Sequence, residues 1–282
     1  MNSTNILISI LFILLILYII LLYNLKKNEQ FEELKPLNYK VIFTGTARSC
    51  ANELPNVLKN INILSSLFIG PNLFIVFEND SDDNTLDILN NFNFNGQKII
   101  LSEKGISDKF KFRTEKIAYA RNKVIFEVNK YKGYDFIINL DLDNVNKFID
   151  IQEFYNCFIK NDLDWSVITA SQKTYYDYWA LRTKDFDINI HMNGPWINDK
   201  NITLKDCENY YKSFNNNNYN YKEVLSAFGG LAIYKYKAIN NCLYDSNNGS
   251  DCEHVLFHKC IRDKNNGHIF INPLLLNSGH YD

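Results

Sequence analysis

The chain has 282 residues, of which 46% are hydrophobic and 15% aromatic, and its net charge at pH 7 is -2. This composition is too apolar for a disordered protein, and it lacks the basic surplus that is typical of nucleic-acid binders. The six cysteines include no Cys-x-x-Cys pair, so they do not predict a zinc cluster. If the domain lies in an oxidising compartment, one or two disulfides are possible, with Cys242 paired with Cys252 or with Cys260.

The first predicted element is an unbroken apolar stretch at residues 6–23. A helix of roughly 18 residues is about 27 Å long, which is enough to cross a bilayer. The stretch lacks a basic start and a small-residue cleavage site, and it is longer than the usual signal-peptide core. We therefore predict a retained single-pass membrane anchor over residues 1–25 and a charged stalk over residues 26–38.

Two signals disagree about the side of the membrane on which the main domain lies. Lys26 and Lys27 follow the apolar stretch and no basic residue precedes it. By the positive-inside rule, this predicts a cytosolic domain. The glycosylation sequons at Asn201 and Asn248 suit a lumenal domain instead, although such tripeptides arise easily in an Asn-rich chain.

From residue 39 onward, apolar segments of strand length alternate with amphipathic segments of helix length. The pattern predicts strands at 40–44, 72–77, 98–101, 136–140, 166–170 and 230–234, helices at 51–67 and 114–129, and a short helix after a polar turn at 78–85. Alternating strands and helices predict one α/β domain over residues 39–282 with a mostly parallel sheet. Ligands of such sheets bind at the carboxyl ends of the strands.

The most informative segment is the predicted strand at 136–140, which ends in two carboxylates, Asp141 and Asp143. Residues two apart on a strand point to the same side, so these carboxylates are expected to face one cation. Mg²⁺ and Mn²⁺ prefer oxygen ligands, and they bridge phosphate oxygens. The segment favours a metal–diphosphate site, although a solvated turn after a strand would give the same Asp-x-Asp pattern.

Other polar residues are predicted to lie on the same rim of the sheet. Small residues at 44–48 (Thr-Gly-Thr-Ala-Arg) follow the first strand and permit close approach of a ligand to the backbone. The acidic turn at 78–80 (Glu-Asn-Asp) follows the second strand. Arg113 precedes the predicted helix at 114–129 and Arg121 lies about two turns further on, so both could face one ligand, and guanidinium groups suit diphosphates. Each feature alone is also consistent with a plain turn or a solvated helix face.

The pattern continues through residues 176–182 (Tyr-Asp-Tyr-Trp-Ala-Leu-Arg), 227–234 (Ala-Phe-Gly-Gly-Leu-Ala-Ile-Tyr) and 252–254 (Cys-Glu-His). In order and spacing, these motifs resemble nucleotide-sugar glycosyltransferases of the GT-A fold, a Rossmann-like mixed and mostly parallel sheet flanked by helices. They are most similar to the fungal capsule-type α-1,3-mannosyltransferase family, over residues 41–258. The resemblance implies a hexosyltransferase dependent on Mn²⁺ or Mg²⁺. It would move mannose or a similar hexose from GDP-mannose or a UDP-hexose to a glycan or glycoconjugate, in a lumenal domain.

The resemblance also implies roles for individual residues. The nucleotide-sugar would be bound by Ala47, Arg48, Glu78, Asp80, Arg113, Arg121, Asn122, Asp141, Gly229 and Gly230. The metal ligands would be Asp143 as the principal one, Asp141 and His280. The acceptor would be contacted by Trp179, Arg182 and His254. Glu253 would be the catalytic base of an inverting enzyme, or it would hold the acceptor in a retaining one.

Several alternatives stay open at this stage. The two glycines can form a tight turn before a strand, Trp179 can belong to the core, and His280 can belong to a tail. A nucleotidyltransferase would need a Gly-rich first loop that ends in Lys, and residues 45–48 are too sparse in glycine for that loop. An inactive, membrane-anchored sugar-binding module is a further alternative, but such a module has no need of intact carboxylates and arginines.

Overall fold

The computed structural model describes Tyr18 and residues 34–159, 163–184, 204–215 and 220–279. Residues 36–282 form one compact unit, and residues 1–35 form another. Apart from Tyr18, the predicted membrane anchor lies outside the described residues. Within them, no helix has both the length and the apolar character needed to cross a bilayer. The anchor and the stalk therefore stay predictions.

The described part of the chain contains eight strands, seven α-helices and two 3-10 turns. The strands are β1 Val41–Ala47, β2 Leu73–Asn79, β3 Gln97–Glu103, β4 Phe136–Asp141, β5 Val167–Ser171, β6 Lys222–Val224, β7 Leu231–Lys235 and β8 Ile269–Leu276. The helices are α1 Leu54–Ser65, α2 Thr85–Asn91, α3 Ile106–Lys109, α4 Arg113–Val128, α5 Ile151–Ile159, α6 Leu204–Asn215 and α7 Glu253–Asn265. The 3-10 turns are Asn144–Asn146 and Tyr236–Ile239.

All eight strands form one sheet in the order β3-β2-β1-β4-β7-β5-β8-β6. The first four strands in this order are parallel, β7 runs antiparallel between β4 and β5, and β6 pairs antiparallel with β8. The predicted mixed, mostly parallel sheet is thus confirmed. Because β7 is antiparallel, its first residues lie at the same rim as the carboxyl ends of β1, β2 and β4.

Apolar residues explain why the central strands lie inside the domain. Every residue of β2 is buried, and β1 and β4 are buried apart from one residue each, as expected for a parallel sheet that is covered on both faces. Helix α4 packs against β1 and β2, and α7 packs against α4. Burial of apolar area at about 25 cal/mol per Å² is the main contribution that holds these layers together.

The sequence pattern did not predict β8, which contains Pro273. Proline removes a backbone donor and argues against a central strand. In the structure β8 nevertheless pairs with β5, and the register shifts between Thr169 and Ser171, opposite the segment that holds the proline. The irregularity accommodates the residue that made the strand hard to predict.

Candidate active site

Arg121 connects two carboxylates that come from distant parts of the chain. Its Nη2 atom donates to Asp141 Oδ1 at 3.0 Å, and its Nε atom donates to Glu253 Oε1 at 3.1 Å. Arg121 and Glu253 are only 5% and 4% exposed, whereas Asp141 is partly open to solvent. Three predicted site residues therefore form one ion-pair cluster at the rim of the sheet.

Several contacts keep Arg121 charged in this buried position. Burial by itself would lower the pKa of the guanidinium, but Asp141 and Glu253 outweigh that effect and raise the pKa above its ordinary value. The guanidinium carbon also lies 4.9 Å from the centre of the Phe228 ring and 5.8 Å from that of Tyr244. The Nη1 atom is buried and has no hydrogen-bond partner among the described residues.

The two carboxylates of the Asp-x-Asp segment differ in their surroundings. Asp141 ends β4 and accepts from Arg121, whereas Asp143 Oδ1 accepts from Val145 N at 3.1 Å and so begins the 3-10 turn. Both are partly exposed. Within the described ranges, no group of three or more His, Cys, Asp or Glu residues is arranged to hold a metal ion, and His280 lies outside those ranges. Two hard carboxylate donors fit a divalent cation that takes its remaining ligands from phosphate and water.

The Gly229-Gly230 turn lies directly beside the end of β4. Both glycines have positive φ, at 64° and 78°, and the carbonyl of Gly230 accepts from Asp141 N at 2.9 Å. Two buried amides support this turn: Asn146 Nδ2 donates to Gly230 O at 2.7 Å, and Asn277 Nδ2 donates to Gly229 O at 2.8 Å. The turn and its amides fix the position of the Asp141 backbone.

Replacement of Gly230 by Ala is expected to destabilise the domain by about 2–5 kcal/mol. A Cβ atom would lie 2.3 Å from Val145 Cγ1, and the left-handed backbone adds strain. Gly133→Ala is the matched control, because Gly133 has φ of 81° but open space around its Cβ position. In urea unfolding, the Gly133→Ala variant should lose only the free energy that corresponds to the strained left-handed backbone, about 1–2 kcal/mol. Equal losses in the two variants would contradict the predicted steric clash.

A second group of predicted residues lies at the carboxyl ends of β1 and β2. Ala47 is buried and Arg48 is exposed. Glu78 is buried and accepts from Ser81 N at 2.9 Å and from Ser102 Oγ at 2.6 Å. Both of its oxygens are therefore bonded to protein, and its predicted contact with a nucleotide stays a prediction.

Asp80 organises the loop that follows β3. It accepts from Gly105 N at 2.5 Å and from Ser107 N at 2.7 Å. Burial is the largest single influence and raises the pKa of this carboxyl, but the hydrogen bonds from Ser107, Gly105 and Asn79 together outweigh it and lower the pKa to about 2. Asp80 is thus ionised at neutral pH and is engaged with its own loop.

The two other predicted residues of α4 do not join the Arg121 cluster. Arg113 is exposed at the first residue of the helix, about 12 Å along the axis from Arg121. Asn122 donates through Nδ2 to Tyr244 O and accepts through Oδ1 from Tyr244 N, both at 2.8 Å. This pair holds Tyr244 against Arg121, which is a task that the sequence pattern did not suggest.

The predicted acceptor residues are more buried than expected for a binding platform. Arg182 is 6% exposed, and its guanidinium donates to Asp251 Oδ1 at 2.8 Å and to the carbonyl of Trp179 at 2.9 Å. Trp179 is partly buried and packs against the hydrophobic core. These contacts give both residues a structural task, and their contact with an acceptor stays a prediction.

His254 is stacked on Phe228, with ring centres 3.9 Å apart. Burial first, and then the charge of Arg121, lower the pKa of His254 well below its ordinary value, so the ring is neutral. Neither ring nitrogen has a hydrogen-bond partner among the described residues, and Nε2 lies 3.7 Å from Glu253 Oε1. His254 therefore packs as an aromatic ring over the cluster.

Asp177 lies within the motif at 176–182 and is a candidate functional residue to which the sequence pattern assigns no role. Its Oδ2 atom accepts from Gly229 N at 3.0 Å, which places the carboxyl group at the same rim as Asp141. Burial raises the pKa of Asp177, the bond from Gly229 opposes this, and the charges of Asp141 and Glu253 add to it, giving a value of about 6. No local sequence pattern marks this residue, because its partner Gly229 is 52 residues away in the chain.

The pKa of Asp177 predicts a specific pH dependence of stability. Because its pKa is raised from 3.8 to about 6, the stability gained from the protonated carboxyl is complete below pH 3.8 and is lost as the pH rises through 6. The unfolding free energy of the wild type minus that of Asp177→Asn should fall by up to about 3 kcal/mol between pH 4 and pH 7.5. Urea unfolding in EDTA measures it, and a difference that does not change with pH would contradict the prediction.

Comparison with known proteins gives structural neighbours but no sequence relatives. No protein-family model matches the sequence, and no curated protein matches it. A mannosyltransferase from Pyrobaculum calidifontis, solved with GDP-Man and Mn²⁺, is 12% identical with a TM-score of 0.49; the match covers 93% of this chain and 64% of that one. This chain thus spans less than two thirds of the length of that protein.

Two further neighbours are synthases of sugar phosphoglycerates. Mannosyl-3-phosphoglycerate synthase from Rubrobacter xylanophilus is 11% identical with a TM-score of 0.47, over 86% of this chain and 68% of that one. Glucosyl-3-phosphoglycerate synthase from Mycobacterium tuberculosis, solved with Mn²⁺ and UDP, is 9% identical with a TM-score of 0.47, over 86% and 73%. Likenesses of this size do not establish a family or an activity.

Proposed function

We propose that this chain is a metal-dependent glycosyltransferase with a GT-A fold, which moves mannose or a similar hexose from a nucleotide-sugar to a glycan or glycoconjugate. The observation that carries the proposal is the placement of Asp141 and Asp143 at the carboxyl end of β4, beside the buried Arg121. In a parallel sheet this is the rim at which ligands bind. The ordered motifs that resemble the GT-A enzymes support the same assignment.

We assign stabilisation of the leaving group to the Arg121 cluster and the Asp-x-Asp segment. A divalent cation, when bound by Asp141 and Asp143, supplies positive charge that stabilises the departing nucleoside diphosphate. Arg121 holds Asp141 in place, and its Nη1 atom is a charged donor to which no described residue offers an acceptor. A phosphate oxygen is the kind of acceptor that suits such a donor.

The proton-accepting part of the reaction fits Asp177 better than Glu253. Glu253 is buried and accepts from the guanidinium of Arg121, so we assign it to holding that arginine. Asp177 lies on the Gly229 side of the rim, and its pKa of about 6 suits a general base near neutral pH. If the reaction inverts configuration, activity should fall as the pH drops below 6, because the protonated carboxyl no longer accepts the acceptor's proton.

A donor screen tests the proposal directly. Residues 36–282, which form one compact unit, are mixed with a panel of GDP- and UDP-sugars in the presence of Mn²⁺, Mg²⁺ or EDTA. Metal-dependent release of nucleoside diphosphate from one donor is the expected result. Release of pyrophosphate from a nucleoside triphosphate would indicate a nucleotidyltransferase instead. No release and no thermal shift with any donor would favour an inactive sugar-binding module.

A further inference from the structure

We propose that Asn248 carries an N-linked glycan, and that the domain therefore folds in the lumen of the secretory pathway. Asn248 is the first residue of an Asn-Gly-Ser sequon. Such a tripeptide is an acceptor only where the chain enters that compartment and the asparagine is accessible. This proposal does not depend on the proposed function, because it concerns the compartment in which the chain folds and not the reaction that it catalyses.

The structure places Asn248 at the tip of an exposed turn. Asn247, Asn248 and Gly249 all have positive φ, at 48°, 54° and 83°. Hydrogen bonds made by the neighbouring residues close the turn: Ser250 N donates to Asn247 O at 3.2 Å, and Gly249 N donates to Ser246 Oγ at 3.2 Å. Asn248 is exposed and its amide makes no hydrogen bond within the described residues. A glycan there displaces no packed group.

Another sequon in the described residues provides a contrast. Asn79, in the tripeptide Asn-Asp-Ser, is only 7% exposed at the end of β2, and its Nδ2 atom donates to Asp80. A glycan on Asn79 would disrupt the strand and the Asp80 loop. The sequons at Asn2 and Asn201 lie outside the described residues. Of the two described sequons, only Asn248 is placed to accept a sugar chain.

The cysteines around Asn248 indicate the same compartment independently. Asn248 lies inside the segment closed by the Cys242–Cys260 disulfide, whose Cα atoms are 5.7 Å apart. This is one of the pairings that the sequence left open. The four other cysteines are all buried, so the chain presents no exposed free thiol among its six cysteines. A disulfide between Cys242 and Cys260, together with free cysteines that are all buried, suits an oxidising environment.

The same segment also contacts the candidate active site. Tyr244 packs beside Arg121, and Asp251 pairs with Arg182. Phe112, just before α4, fills the space in which a Gly249 side chain would lie, since a Cβ atom there would be 2.2 Å from Phe112 Cγ. The disulfide and the glycan would therefore brace one wall of the site. Both would also favour the lumen over the cytosolic side that Lys26 and Lys27 predict.

The test uses the full chain expressed in cultured animal cells. After trypsin digestion, Asn248 lies alone in the peptide of residues 238–259, apart from the other sequons. We expect this peptide to carry a glycan that PNGase F removes with conversion of Asn248 to Asp. Asn248→Gln and Ser250→Ala should each remove one PNGase F-sensitive step on a gel, whereas Ser250→Thr, which keeps the sequon, should retain it.

A second measurement keeps the proposal falsifiable if a variant is poorly expressed. Alkylation of the denatured, unreduced wild-type protein should modify four cysteines, leaving Cys242 and Cys260 linked to each other. An unglycosylated 238–259 peptide from well-expressed wild-type protein would overturn the proposal. Alkylation of all six cysteines would overturn it as well, because it would place the domain in a reducing compartment.

Discussion

The Arg121→Met variant is expected to lose about 3–5 kcal/mol of folding free energy, because it leaves the buried carboxylate of Glu253 and that of Asp141 without their shared cation. Methionine fills much of the same volume, so the loss reports mainly on charge. Urea unfolding at pH 7 measures it. The same variant should also lose transferase activity, because Asp141 is no longer held at the rim.

The matched control lies on the same helix. Lys123 is 38% exposed and pairs with Glu103 at 3.0 Å, so Lys123→Met should cost at most about 1 kcal/mol. A second variant, Arg121→Met with Glu253→Gln, should recover part of the loss, because the buried negative charge is removed together with its partner. A loss in Arg121→Met no larger than in Lys123→Met would mean that the buried cluster does not stabilise the fold.

The Asp143→Asn variant is expected to lower kcat/KM for nucleotide-sugar turnover by at least about 100-fold. A metal-stabilised leaving group accounts for several kcal/mol, and each 1.36 kcal/mol is a factor of ten in rate. Asparagine keeps an oxygen that accepts from Val145 N, so the 3-10 turn should persist. Titration with Mn²⁺, followed by electron paramagnetic resonance, should show weakened binding independently of activity.

Asp150→Asn controls for the chemical change alone. Like Asp143, Asp150 accepts a hydrogen bond from a nearby backbone amide, here that of Glu153 at 2.9 Å. Unlike Asp143, it lies after the 3-10 turn and away from the end of β4. Its activity and Mn²⁺ affinity should equal those of the wild type. Normal turnover and normal Mn²⁺ binding in Asp143→Asn would remove Asp143 from the site.

Local patterns were sufficient to predict the first half of the fold. Apolar runs of four to six residues identified β1 to β4, and the amphipathic segments between them identified the helices α1 and α4. The second half was harder. The edge strand β6 and the Pro273-containing β8 have no strong local signal, because they are stabilised by partners distant in the chain.

The candidate site divides in the same way. The sequence itself determined that Asp141 and Asp143 end a buried strand and that Gly229 and Gly230 form a turn, since both follow from local chemistry. Only the tertiary structure decided that Arg121 pairs with Glu253, 132 residues away, and that Asp177 meets Gly229 across 52 residues. Such contacts depend on strand order, and the antiparallel insertion of β7 between β4 and β5 is a property of the whole sheet. No local period encodes it.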